Sequence, residues 1–208
     1  MEIYFVRHGE TEWNLKKIFQ GVKNSPLTSL GKEQARKLKI KLNPIQFTHY
    51  YSSPLGRAVE TLEILTEDRK EKKLETIEYF REIDMGKMEG VPRDEFEKTY
   101  PTEFYNLWYN GKEYDPSKYN GETFQEVLTR VKKGLDYLEK NHKENDKILI
   151  VSHGIALEAI FACINNQGVE TFSERQVPQN TSLTIVEYKD KKFKILDFSN
   201  TSHLDEEN

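Results

Sequence analysis

Apolar runs and amphipathic stretches alternate along this chain. Ile3 to Val6 is an uninterrupted β-branched and aromatic run, the signature of a strand buried on both faces, and such strands belong mainly to parallel sheets covered by helices. Ile148 to Val151 repeats the pattern, and the apolar stretch Ile155 to Ile164 follows it. Between them, Thr28 followed by Ala35, Leu38 and Leu42 at helical spacing predicts a helix over about 28–42, with Lys37, Lys39 and Lys41 on its solvated side. A strand over 47–51, a helix over 54–67 and a strand near 74–79 come next. Phe124, Val127, Leu128, Val131, Leu135 and Leu138 mark a long amphipathic helix within 121–141. The last pattern, 182–188 and 192–198 around Asp190-Lys191, reads as a hairpin, and the acidic tail beyond His203 is expected to fray. The alternation predicts an α/β fold, a three-layer sandwich with a mostly parallel sheet flanked by helices.

From about 84 to 121 the pattern breaks into short aromatic-rich segments, including Phe96, Tyr100, Trp108 and Tyr119, punctuated by Pro92, Pro101 and Pro116. This predicts a small inserted cap. Most of its rings should pack an irregular helical excursion onto the sheet, leaving one or two to line a substrate mouth. No repeat or linker divides the chain, so residues 1–208 are expected to form one domain carrying that cap.

Composition narrows the function classes. With 31 basic and 35 acidic residues among 208, the net charge is −4, and no basic tract suggests nucleic acid or a membrane surface. Any anion site must be local. Cys163 is the only cysteine and no apolar stretch approaches ~18 residues, so a cytoplasmic, reducing location is expected. The Asn180-Thr181-Ser182 and Asn200-Thr201-Ser202 sequons then read as chance matches.

The chemistry gathers where strands end. Arg7, His8 and Gly9 follow the first buried strand, and Glu10, Thr11 and Glu12 open a helix whose backbone N–H groups could meet an anion. Ser152, His153 and Gly154 follow the second such strand. Adjacent parallel strands would set both imidazoles at one carboxyl edge of the sheet, and Arg57, at the helix start after Ser52-Ser53-Pro54-Leu55-Gly56, approaches the same edge. Two histidines and two arginines suit phosphoryl chemistry, because planar guanidinium groups neutralise phosphate oxygens in a bidentate manner. Spacing alone does not choose between His8 and His153 as nucleophile.

These motifs, RHGE at 7–10 with Thr11 and Asn14, SSPLGRA at 52–58, Glu82 before a Gly-rich turn and SHG at 152–154, resemble the histidine phosphatase superfamily, which includes the cofactor-dependent phosphoglycerate mutases. The match runs in the family's order over most of the chain and is similar to its bacterial broad-specificity phosphatase branch. The resemblance implies a metal-independent phosphatase with a phosphohistidine on His8 and Glu82 as proton donor. It implies phosphate binding by Arg7, Arg57 and His153, and substrate contacts from Asn14, Gln20, Gly21 and Gly154, with Asn180 bracing the His153 loop. No cofactor and no metal are expected, and the partner is a small phosphomonoester; the oligomeric state is left open. Desolvation by Phe80, Ile83 and Met85 is expected to favour the protonated Glu82 that an acid needs. Met88 stands where many relatives carry Trp.

Three alternatives bear on that reading. A metal-dependent hydrolase built on His8, His153, Glu82 and Asp84 lacks any HExxH-like ligand spacing. A non-catalytic phosphate-binding protein on the same fold would be expected to lack His8 or the acid. A mutase of the same superfamily is the nearer competitor. Mutases carry an Arg-His-Tyr-Gly-like stretch after the acid where this chain has Ile83-Asp84-Met85-Gly86, so Asp84 should repel a second phosphate.

Overall fold

β1 (Glu2–Arg7) shows why the sheet is buried on both sides: Ile3 and Phe5 pack in one core cluster, Tyr4 and Val6 in another. The computed structural model describes residues 1–173 and 177–205. Its sheet has six strands in the order β3-β2-β4-β1-β5-β6, with β2 (His49–Ser52), β3 (Leu74–Thr76), β4 (Lys147–Ser152), β5 (Leu183–Lys189) and β6 (Lys192–Asn200). The first four positions are parallel, while β5 and β6 run antiparallel as the predicted hairpin. Asp190 and Lys191 both take positive φ at its turn, which matches the strands' twist.

Helices cover both faces. α2 (Ser29–Leu42) and α3 (Gly56–Leu65) bury Leu38, Leu42, Ala58, Leu62 and Leu65 against one face. α6 (Phe124–Asn141) and α7 (Gly154–Ile164) bury the other, over Phe5, Ile148 and Ile150. The predicted three-layer α/β sandwich is the observed one. Local signals agree with it: Thr28 caps α2 through the Gly31 N–H, and Thr123 and Glu126 form a capping box on α6. Lys39 and Lys41 are partnered and not simply solvated, Lys39 with Glu67 and Asp68, Lys41 with Asn200 and Ser202.

Most boundaries shift by one or two residues, and two differences go further. β3 stops at Thr76, and a 3-10 turn over Glu78–Phe80 carries Phe80 into the core, so the chain reaches Glu82 at the sheet edge without extending the strand. At the other end, Ser202–Asp205 form a helical turn whose His203 is buried against Thr181 Oγ1 at 3.1 Å, so Leu204 and Asp205, expected to fray, belong to that turn; 206–208 lie outside the described residues.

After α1 (Glu12–Leu15), the main excursion from the sandwich contains α4 (Arg93–Thr99), α5 (Pro101–Tyr109) and 3-10 turns at Gly111–Glu113 and Ser117–Tyr119. Phe96, Leu107 and Tyr119 are fully buried, and Phe96 meets Phe19 edge-on at 5.2 Å. Tyr105 and Tyr109 face solvent. Among the described residues, no helix is long and apolar enough to cross a membrane.

Candidate active site

The β1–β4 register sets Arg7 opposite Ser152, so the next residues, His8 and His153, emerge side by side at the carboxyl edge with ring centroids 5.1 Å apart. Both rings are buried. His8 Nδ1 lies 2.8 Å from the Gly9 carbonyl oxygen, which can only accept, so Nδ1 carries the proton. Nε2 keeps its lone pair, and Arg57 Nε donates to it at 3.3 Å. Spacing alone could not rank the two histidines, but the hydrogen bonds separate them: His8 presents a basic nitrogen at the pocket, and His153 stands behind it with Nε2 at 2.7 Å from Ser53 Oγ. His153 Nδ1 has no partner among the described residues.

Arg57 is only 1% exposed, and its guanidinium is held by carbonyls, Nη1 donating to Lys23 O at 2.7 Å and Nη2 to Gly21 O at 2.8 Å. Gly21 adopts φ +53°, a conformation that suits glycine and turns its carbonyl onto Arg57. The loop is braced by Glu89, whose buried carboxylate accepts from the N–H groups of Val22, Lys23 and Met85. These partners make Glu89 a loop support. Arg7 Nη1 donates to the Pro178 carbonyl. Burial pushes both guanidiniums down to about 10, which leaves them charged at neutral pH.

Glu82 reaches the same pocket, where backbone N–H groups join the apolar neighbours that the sequence led one to expect. Phe80 is buried in the core and Ile83 and Met85, also buried, line the same cleft, while the Glu82 carboxylate accepts backbone N–H bonds from Ile83 at 3.0 Å, Ala156 at 3.0 Å and Ile155 at 3.3 Å. It therefore occupies the α7 N-terminus and takes up the first N–H groups there. The backbone around it is pinned by Glu122, which accepts from the Asp84 N–H and pairs with Arg81 and Arg130.

The expected backbone anion site after β1 is also filled. Thr11 caps α1 and shares a capping box with Asn14, the Glu12 N–H goes to Pro26 O, and the Trp13 N–H goes to Ser25 Oγ. Buried N–H groups must find partners within the fold, so side chains and not helix ends face the pocket. Asn14 Oδ1 is used by Thr11 N and by Asn180 Nδ2, although Asn14 still lines the pocket. Asn180 Nδ2 also donates to the His8 carbonyl at 2.9 Å, so Asn180 braces the His8 loop and not the His153 loop. Gln20 is buried with Oε1 unpartnered among the described residues, and Gly154 sits where a Cβ would come within 2.8 Å of Val177 Cγ1.

Together Arg7, His8, Asn14, Gln20, Gly21, Arg57, Glu82 and Gly154 line one open cleft. Its remaining wall includes Trp108, one of the cap rings among which a mouth-lining residue was expected, and Phe19 and Arg93, which the sequence did not single out for function. An arginine directly after Pro92, at the start of the aromatic cap, was the available signal. Among the described residues no cluster of His, Cys, Asp and Glu could hold a metal ion.

Burial, then the Arg57 and Arg7 charges, hold His8 well below the usual histidine value of 6.5, while the Gly9 carbonyl pulls the other way. His153 is held down too, by burial first and then by Arg57, His8 and Arg7, so it is neutral in the ligand-free pocket and not the third cation that phosphate binding would suggest. Both rings stay neutral in the folded state while the unfolded chain takes up protons near 6.5. Stability is then lost as pH falls below 6.5, by about 1 kcal/mol per unit for each ring. Urea midpoints at about pH 7.5 and 5.5 check this; an equal or higher midpoint at the lower pH contradicts it.

The histidine phosphatase superfamily (branch 1) model matches residues 3–201, and the chain belongs to that family. It is similar to the uncharacterized phosphatase PhoE of Bacillus subtilis, 34% identical over 202 residues, covering 97% of this chain and 96% of the relative. It is also 34% identical to the probable phosphoglycerate mutase GpmB of an Enterobacter species, over 91% of this chain and 86% of the relative. Among solved structures, YhfR of Bacillus stearothermophilus superposes with a TM-score of 0.91 at 32% identity, over 98% of each chain.

Proposed function

We propose that this protein is a metal-independent phosphomonoester hydrolase of the cytoplasm, working through a phosphohistidine on His8 with Glu82 as proton donor, in one domain spanning 1–208 with a cap at 84–121. The observation that carries the reading is the tautomer of His8: a proton fixed on Nδ1 by the Gly9 carbonyl leaves Nε2 as a neutral nucleophile between two arginines. A phosphate monoester dianion repels nucleophiles, so its oxygens must first be neutralised. Arg7 and Arg57 supply planar donors for them. His153 offers its unpartnered Nδ1, and Asn14 and Gln20 offer amides, while Gly21 and Gly154 let the backbone approach closely.

His8 Nε2 then attacks phosphorus in line, the P–O ester bond breaks, and Glu82 gives its proton to the leaving alkoxide. Glu82, now a carboxylate held by three N–H groups, takes a proton from water. That water attacks phosphorus, the P–N bond breaks, and phosphate leaves His8 neutral again.

Hydrolysis is favoured over mutase activity by the absence of an Arg-His-Tyr-Gly-like stretch after Glu82. Asp84 no longer bears on the choice, because its carboxylate caps the Gly86 N–H at 2.7 Å and does not line the pocket. With 3-phosphoglycerate as substrate, release of inorganic phosphate is expected to exceed isomerisation to the 2-phosphate, without stimulation by 2,3-bisphosphoglycerate or loss in EDTA. Efficient isomerisation without phosphate release, or strict dependence on a divalent ion, overturns the reading.

A further inference from the structure

Thr181 is a β-branched residue held in the left-handed region, at φ +56°. It takes the third place of a turn over residues 179–182, closed by the Ser182 N–H on Gln179 O at 3.0 Å, a place where positive φ ordinarily calls for Gly or Asn. Such a conformation persists only where its surroundings over-determine it, and two sets of contacts do so here. On one side the Thr181 N–H donates to the Arg7 carbonyl at 3.0 Å and to the His8 carbonyl at 3.4 Å. On the other, Thr181 Oγ1 meets His203 Nε2 at 3.1 Å, and both residues are buried. His203 is fixed from outside in turn. Lys41 of α2 donates to Asn200 Oδ1 at 2.8 Å and to Ser202 Oγ at 2.7 Å, which ties the closing turn Ser202–Asp205 to the helix layer.

We propose that His203, acting through Thr181, is a positioning residue for the His8 nucleophile, so that the closing turn of the chain aims the active site. This deepens the hydrolase reading and rests on it for its catalytic consequence. His8 lies one residue past the end of β1: its N–H is held by Ser152 O of β4 at 3.0 Å, while its carbonyl is held by Thr181 N–H and Asn180 Nδ2. Rotation of the 8–9 peptide would carry Gly9, whose carbonyl fixes the proton of the His8 ring, and would swing Nε2 off line. Stability alone argues for other residues at both places. Gly takes positive φ without strain and would close the same turn, but it lacks the hydroxyl that reaches His203. An apolar side chain in place of His203 would leave no buried polar atom, whereas its Nδ1 is unpartnered among the described residues.

Calorimetric titration with orthovanadate and with inorganic phosphate tests this. Both anions meet Arg7 and Arg57, but vanadate also accepts a fifth ligand, so His8 Nε2 can bond to vanadium only when it points in line. In His203→Ala the vanadate-to-phosphate affinity ratio is expected to fall by about 10-fold, part of the ~10²-fold that a misplacement of about 1 Å can cost a reacting group. His203→Gln, whose amide can donate to or accept from the Thr181 hydroxyl, should recover most of it. Thr181→Gly should keep its fold and show the same loss, and adding His203→Ala to it should lower the ratio no further, because both variants break one contact. A ratio taken within each variant is not moved by a partly unfolded sample. A ratio unchanged in either single variant, or losses that add in the double variant, overturns the proposal. Turnover of phenyl phosphate by the wild type reads the hydrolase proposal separately: no turnover with the ratios shifting as expected would sink the catalysis and keep the positioning.

Discussion

Replacing His8 with Asn is expected to lower turnover of any phosphomonoester by about 10⁴-fold or more, the scale on which loss of a covalent nucleophile acts. Asn is the informative substitution. Its side-chain oxygen can still accept from Arg57 Nε, which donates to His8 Nε2 in the native pocket, so the arginine keeps a partner while the nucleophile is gone. Steady-state rates with an alkyl and an aryl phosphate, beside unchanged circular dichroism, make the check. A loss below about tenfold would mean that water attacks the ester directly, and the covalent route would fall.

Glu82→Gln is expected to slow the phosphorylation step for alkyl phosphates by about 10² to 10⁴, the range for a positioned general acid, and to affect p-nitrophenyl phosphate much less, because that leaving group departs without a proton. The substitution has a second consequence. Glu82 accepts from three backbone N–H groups at Ile83, Ile155 and Ala156, and the amide NH₂ of Gln would face one of them. Misplacement from that clash would slow both substrates alike. Single-turnover rates of phosphorylation with the two esters therefore separate acid catalysis from positioning, and an equal loss for both argues against Glu82 as the donor.

The sequence made the scaffold of this site readable because its signals are local and periodic. Ile3–Val6 and Ile148–Val151 read as strands buried on both faces, and their parallel pairing then placed His8 beside His153 without further information. The Asp190-Lys191 turn and the Thr28 cap were legible for the same reason. What stayed hidden depends on contacts between distant segments. Arg93 enters the cleft only because residues 17–19 and 90–93 pair, and Trp108 only because α5 folds back over Phe19. Neither pairing has a period. The role of Glu89 shows only once residues 22 and 23 hydrogen-bond to it, and the N–H groups after β1 that were expected to meet an anion are instead taken up by Thr11, Pro26 and Ser25. The His8 tautomer lies beyond any pattern, since it is set by one carbonyl oxygen.

The central claim is that the phosphoryl group passes through His8. Mixing the protein with a radiolabelled alkyl phosphate, quenching in base within the first turnover and mapping the labelled peptide tests it directly. The account predicts a label that survives base, is lost in acid and maps to His8, and that is absent from the His8→Asn variant. An acid-stable label on Ser52 or Ser53, a hydroxylamine-sensitive label on Asp84, or turnover with no labelled protein at all would contradict it.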